Sequence, residues 1–94
     1  MRAFGLEWTD QVQLPDPHDI PDDWAGVFII WQSISPFKPV CVGCGKVKDG
    51  IDAYLRNSSL EHNVPKSLVW AGVQADEQTA VKERIQRELN IPAC

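Results

Sequence analysis

The densest group of chemistry-bearing side chains is Cys41-Val42-Gly43-Cys44-Gly45-Lys46. A C-x-x-C-G-K turn resembles a zinc knuckle, but tetrahedral zinc needs four ligands, usually with a second pair at set spacing. The other candidates are Cys94, His18 and His62, scattered along the chain and unpaired. A thioredoxin-like redox pair would need a surrounding βαβ unit, which the neighbouring sequence does not supply. Cys41 also lies in an alternating stretch, where Val40 and Val42 face away from it. The expectation is no zinc at Cys41/Cys44 and no cofactor. Cys41 then serves as a small apolar side chain and Cys44 as a turn residue. All three cysteines are expected as reduced thiols, with Cys94 exposed.

Lys38, Lys46 and Lys48 form the other candidate group. Lysines flanking a hairpin loop and a glycine turn can contact phosphates of a nucleic acid. Lysines so placed are more often simply solvated. His18, in a proline-rich stretch, and His62, beside Asn63, lack triad partners nearby and read as loop residues.

These groups must be positioned by a chain of 94 residues, enough for one small domain with one core. Hydrophobic residues make up 44% and charged residues 23%, which excludes a wholly disordered chain, a collagen-like repeat and a coiled coil. No apolar stretch approaches a membrane span of roughly 18 residues, and the N-terminus lacks a basic-then-apolar leader pattern. A cytoplasmic location without a membrane is expected. The net charge of −4 argues against an obvious nucleic-acid binder, but the charge is uneven. Arg2 is opposed by Glu7, Asp10, Asp16, Asp19, Asp22 and Asp23, giving residues 1–25 a net of −5. Residues 26–94 carry a net of +1, so the acidity constrains the N-terminal arm rather than the remainder.

Phe4-Gly5-Leu6-Glu7-Trp8 alternates as a half-buried strand does, and Val12 and Leu14 can continue it or pair nearby. Residues 14–23 hold three prolines and four aspartates, which predicts a loop. Gly26–Gln32 is β-branched and aromatic on both faces, as a central strand is. After a break over 33–38 containing Pro36, the sequence Pro39-Val40-Cys41-Val42-Gly43 completes a β-hairpin. Gly43 and Gly45 then permit a sharp exit. Val47, Ile51, Tyr54 and Leu55 fall on one helical face, with Gly50 costing that helix ~1 kcal/mol. Asn57–Lys66 reads as a loop and Leu68–Val73 as a strand. A last helix follows, with Asp76 as N-cap, Ala80, Val81, Ile85 and Leu89 on its apolar face, and Asn90 and Pro92 ending it. Trp31 and Trp70 suit the core or a sheet face, while Trp8 and Trp24 can pin the arm to the sheet. The fold class is α+β: a mostly antiparallel sheet of three or slightly more strands, with packed helices.

The order hairpin, helix, strand, helix carries further detail. Gly26-Val27-Phe28 opens the first strand, and Cys41-Val42-Gly43 closes the second before a glycine turn into a helix. A Leu-Val-Trp strand and a helix ending in Asn-Ile-Pro follow. Over about residues 24–92 this resembles the GIY-YIG nuclease superfamily, in particular its small bacterial branch. The resemblance implies a GIY-YIG-like domain over 26–94, preceded by an acidic, proline-rich arm with a possible edge strand over 1–25. It also implies single-metal phosphodiester hydrolysis, which needs an activated water, a cation and donors aimed at phosphate oxygens.

The positions that would carry that chemistry are replaced. The first-triplet tyrosine corresponds to Phe28, which has no ionisable hydroxyl, and the second-triplet tyrosine to Cys41. The helix arginine corresponds to Gly50, and the metal-binding glutamate to Lys82, of opposite charge. Arg56 is about 120° away from the Gly50 direction around its helix, and Glu83 about 100° from Lys82; Glu88 lies on yet another face. The implied function is a non-catalytic module binding a protein or a nucleic acid, as a monomer or weak dimer, with a protein favoured by the acidity. Lys38, Lys46, Lys48 and Lys82 would supply any phosphate contact. The alternative is a nuclease using Mg²⁺ with Glu83 as substitute ligand.

Overall fold

The computed structural model describes residues 2–10, 12–13, 17–33, 38–57 and 65–94. Expectations for Leu14, Asp16, Pro36, His62 and the stretch 58–64 lie outside them. Among the described residues, six strands and two helices follow in order: β1 (Arg2–Ala3), β2 (Leu6–Glu7), β3 (Val12–Gln13), β4 (Ala25–Gln32), β5 (Lys38–Lys46), α1 (Val47–Asn57), β6 (Lys66–Ala71) and α2 (Gln78–Leu89). Four strands form one antiparallel sheet in the order β3-β6-β4-β5. The fold is α+β, with a helix on each face of that sheet. Among the described residues, no helix is long and apolar enough to cross a membrane.

The long apolar strand β4 takes the interior position because both of its faces must be covered. Phe28 and Ile30 face α1, where they join Val47, Ile51, Tyr54 and Leu68 in one buried cluster. Val27 and Ile29 face α2, where Val42, Val69 and Ile85 complete the second. The helical spacing of Val47, Ile51 and Tyr54 thus becomes the buried side of α1, as a 3.6-residue repeat requires.

The first 25 residues contribute to both layers. Trp8, 4% exposed, lies in the α2-side cluster, and Ile20 in the α1-side cluster. Thr9 and Trp70 bond reciprocally: the Thr9 N–H donates to the Trp70 carbonyl at 3.0 Å and the Trp70 N–H to Thr9 Oγ1 at 3.1 Å. Trp24 stacks on Trp70 with ring centroids 5.1 Å apart. β3 adds the edge strand beside β6.

Several local expectations are corrected. Phe4–Trp8 is not one strand: Phe4 and Gly5 both have positive φ (56° and 74°). They make the turn of a two-residue hairpin loop between β1 and β2, and such loops favour positive φ at both positions. Gly43 and Gly45 do not end β5, which runs on to Lys46. The proline-rich loop contains a 3₁₀ turn, Pro17–Asp19. The N-cap of α2 is Glu77, without a side-chain cap bond, rather than Asp76. A turn closing the Glu77 N–H onto the Gln74 carbonyl at 2.9 Å delays the helix start, and Gln78 Nε2 donates to the Val73 carbonyl at 2.9 Å. Asn90 ends α2 in the left-handed region, as its type favours.

The cysteines also differ from expectation. Cys41 and Cys94 form a disulfide with Cα atoms 5.1 Å apart, and Cys44 alone is a free thiol. The partners are 53 residues apart in sequence but meet because the segment after α2 returns along β5. Ala93 forms a parallel bridge with Val42. The Val42 N–H donates to the Pro92 carbonyl at 3.1 Å, and the Cys94 N–H to the Val42 carbonyl at 3.0 Å.

Candidate binding site

The positions singled out by the family resemblance divide between the two faces of the sheet. Phe28, Cys41 and Gly50 lie on the α1 side. Lys82 belongs to α2, on the other side, and is half-buried there. Phe28 is 1% exposed, and its cross-strand partners are Gly43 and Trp70. The ring fills the space between β5 and α1: a Cβ added at either Gly43 or Gly50 would land on it. Gly50 is therefore a packing requirement of the Phe28 ring, which offsets its cost to helix propensity. Cys41 is buried in the same cluster, with its sulfur committed to Cys94.

The possible substitutes lie on the surface. Arg56 pairs with Asp52 one helical turn away at 2.9 Å, and Glu83 and Glu88 are exposed on α2. Cys41 and Cys44, three residues apart on β5, face opposite layers, as strand alternation demands. Among the described residues, no three His, Cys, Asp or Glu side chains gather as a metal site. His18 is exposed.

The candidate lysines are likewise not brought together. Lys38 begins β5 and Lys46 ends it, so their Cα atoms stand roughly 26 Å apart at about 3.3 Å per residue. Lys48, in the first turn of α1, pairs with Asp22 at 3.4 Å. That pairing uses part of the acidic segment to neutralise one of the three cations.

Lys38 instead borders a cleft of about 330 Å³ at the far end of the sheet. Its polar lining is Gln32, Lys38, Lys66 and Asn90; Pro39, Val40, Ile91 and Pro92 supply the apolar walls. Register builds the polar row. Gln32 of β4 is paired with Lys38 of β5 on one side and Lys66 of β6 on the other, and directly paired residues project to the same face. A register irregularity between Ile30 and Trp31 makes this possible: Ile30 pairs with Cys41 but Trp31 with Pro39, leaving Val40 as the extra residue. Without the bulge, Gln32 would pair with Pro39. Lys66 is 8% exposed, and both it and Gln32 are engaged by interactions of their own. The opposite wall is the turn out of α2, where the Ile91 N–H donates to the Gln86 carbonyl at 3.2 Å.

Sequence reasoning singled out Lys38 here but missed Gln32 and Lys66 and took Asn90 only as a helix end. Their sequence neighbourhoods carry no motif; strand register alone brings them together. No family model matches the chain, and no curated protein or solved structure is significantly similar to it.

Proposed function

We propose that the chain is a non-catalytic, GIY-YIG-like domain that acts as a binding module, with a protein as its partner. The order of a hairpin, a helix, a third strand and a last helix supports the kinship. The observation that carries the loss of catalysis is the Phe28 ring, 1% exposed and packed where Gly43 and Gly50 leave room for it. A reacting phosphodiester needs a wet, polar, open space with a cation, and this space is dry and full. A protein partner is favoured over a nucleic acid by two features. Lys48 is already paired with Asp22, and Lys38 and Lys46 stand at opposite ends of β5 and form no compact patch. The exposed Asp10, Asp19, Asp22 and Asp23 would repel phosphates and suit a basic protein surface.

The test is incubation with single-stranded, double-stranded and branched DNA or RNA in the presence of Mg²⁺ or Mn²⁺. No cleavage is expected. Cleavage that disappears in Glu83→Ala would establish instead a nuclease with a substitute metal ligand. A salt-dependent mobility shift lost in Lys46→Ala/Lys48→Ala would make nucleic acid the partner. The module works in the cytoplasm on this proposal, as a monomer or weak dimer. The Cys41–Cys94 bond weighs against that compartment, because cytosolic thiols are ordinarily kept reduced. Thiol counting in rapidly quenched lysate decides between them.

A further inference from the structure

We infer that the cleft between Lys38, Gln32, Lys66 and the turn after α2 binds a small organic oxyanion: a carboxylate or phosphate carried on a compact apolar group. This goes beyond the protein-binding proposal and does not depend on it. Charge sets the sign of the ligand. Among the described residues, two lysines line the cleft and no acidic residue does. Both lysines flank Gln32 across three adjacent strands, so their Cα atoms are about 10 Å apart, two interstrand spacings. Lys38 is exposed, so its ammonium group, on a long stem, can reach an oxyanion placed over Gln32. Gln32 and Asn90 add amide N–H donors able to bond oxygen acceptors.

The α2 carboxyl end, which by itself favours cations, is partly capped here. The Asn90 and Ile91 N–H groups both turn back to the Gln86 carbonyl.

Shape sets the remainder of the ligand. Val40 and Ile91 give the cleft apolar sides next to its polar row, the mixture that small-molecule sites use for affinity and orientation. About 330 Å³ is the space of roughly eleven water molecules, so the ligand has on the order of ten non-hydrogen atoms. A long polymer is not required. The shared chemistry of benzoate and phenyl phosphate fits these limits, and inorganic phosphate and benzyl alcohol separate the contributions of charge and apolar body.

The experiment is an amide-resolved NMR titration of the full chain with those four probes, up to about 10 mM to capture millimolar affinity. Saturable shifts are expected with benzoate or phenyl phosphate at the amides of Gln32, Lys38, Val40, Lys66, Asn90 and Ile91. Inorganic phosphate should bind at least about fivefold more weakly, and benzyl alcohol should not saturate. Lys38→Gln, an exposed position whose replacement leaves the fold intact, should weaken the organic anion at least about fivefold. Lys66→Met, with its folding checked by the same spectra, should do the same. No saturable shift at these amides with either organic anion overturns the inference. So does equal binding of benzyl alcohol, equal binding of inorganic phosphate, or unchanged affinity in a folded Lys38→Gln.

Discussion

The two ends of β5 treat space in opposite ways. Near Gly43 the strand has no side chain, α1 has none at Gly50, and the Phe28 ring occupies the gap. Near Lys38 the strand meets Gln32, Lys66 and the α2 turn around an open cleft. Removing side chains lets β5 and α1 close over an aromatic ring, so that end contributes stability. Long polar side chains and two prolines keep the other end from closing, so that end is free to contribute recognition. Phe28 and Gly50, two positions of the family resemblance, fall at the closed end.

The largest effect should come from the closed end. Phe28→Ala removes a fully buried ring flanked by Gly43 and Gly50, which have no side chains to fill the space, so a loss of about 3–5 kcal/mol is expected in urea or thermal unfolding. Lys38→Gln should stay within about 0.5 kcal/mol of the parent protein. If the two variants melted alike, the contrast between the ends would be lost.

Next in size is the strap that links the α2 turn to β5. The Cys41–Cys94 bond closes a loop spanning a sequence separation of 53. Cys94→Ser should cost about 2–4 kcal/mol. Dithiothreitol should lower the parent's melting temperature toward the variant's and leave the variant's unchanged. Because Pro92 is a wall of the cleft and accepts the Val42 N–H bond, the Asn90 and Ile91 amides should shift on reduction while those of α1 move least. Equal disturbance at both ends would show that the strap supports the whole sheet rather than the open end.

A smaller and more diagnostic effect lies at Gly50. In an exposed helix, glycine to alanine gains about 1 kcal/mol. Here the added Cβ would strike the Phe28 ring, so Gly50→Ala should instead lose about 1–3 kcal/mol through overpacking. In the Phe28→Ala background the same change should become stabilising by about 1 kcal/mol, because the ring is gone. The double-mutant cycle reads that coupling directly; additive losses would mean that ring and glycine are independent.

How much of this was legible follows from which distances matter. The α1 face (Val47, Ile51, Tyr54) was legible because a period of 3.6 residues is local, and so was the hairpin of β4 and β5. The positions of Trp8 and Trp24 at the borders of the arm point to the sheet, where Trp8 joins the α2-side cluster and Trp24 stacks on Trp70. The disulfide was not legible: pairing Cys41 with Cys94 depends on the chain's return along β5, which no spacing of three cysteines encodes. The Lys38–Gln32–Lys66 row was hidden for a similar reason. It depends on one extra residue, Val40, shifting the register of β5 against β4. Residue type favours Asp76 as the cap of α2, whereas the turn from Gln74 to Glu77 sets the helix start one residue later.

The smallest expected effect concerns the charges at the closed end. Lys48 and Asp22 approach to 3.4 Å, with the aspartate side chain 79% exposed, so Asp22→Asn should cost no more than about 0–1 kcal/mol. That loss should vanish near 1 M salt, where the screening length falls to about 3 Å. At the open end, salt should act on ligand instead, weakening benzoate or phenyl phosphate while leaving stability unchanged. Unfolding and titration at low and high salt separate the two outcomes. A large, salt-resistant loss in Asp22→Asn would place electrostatic stabilisation at the end that packing holds.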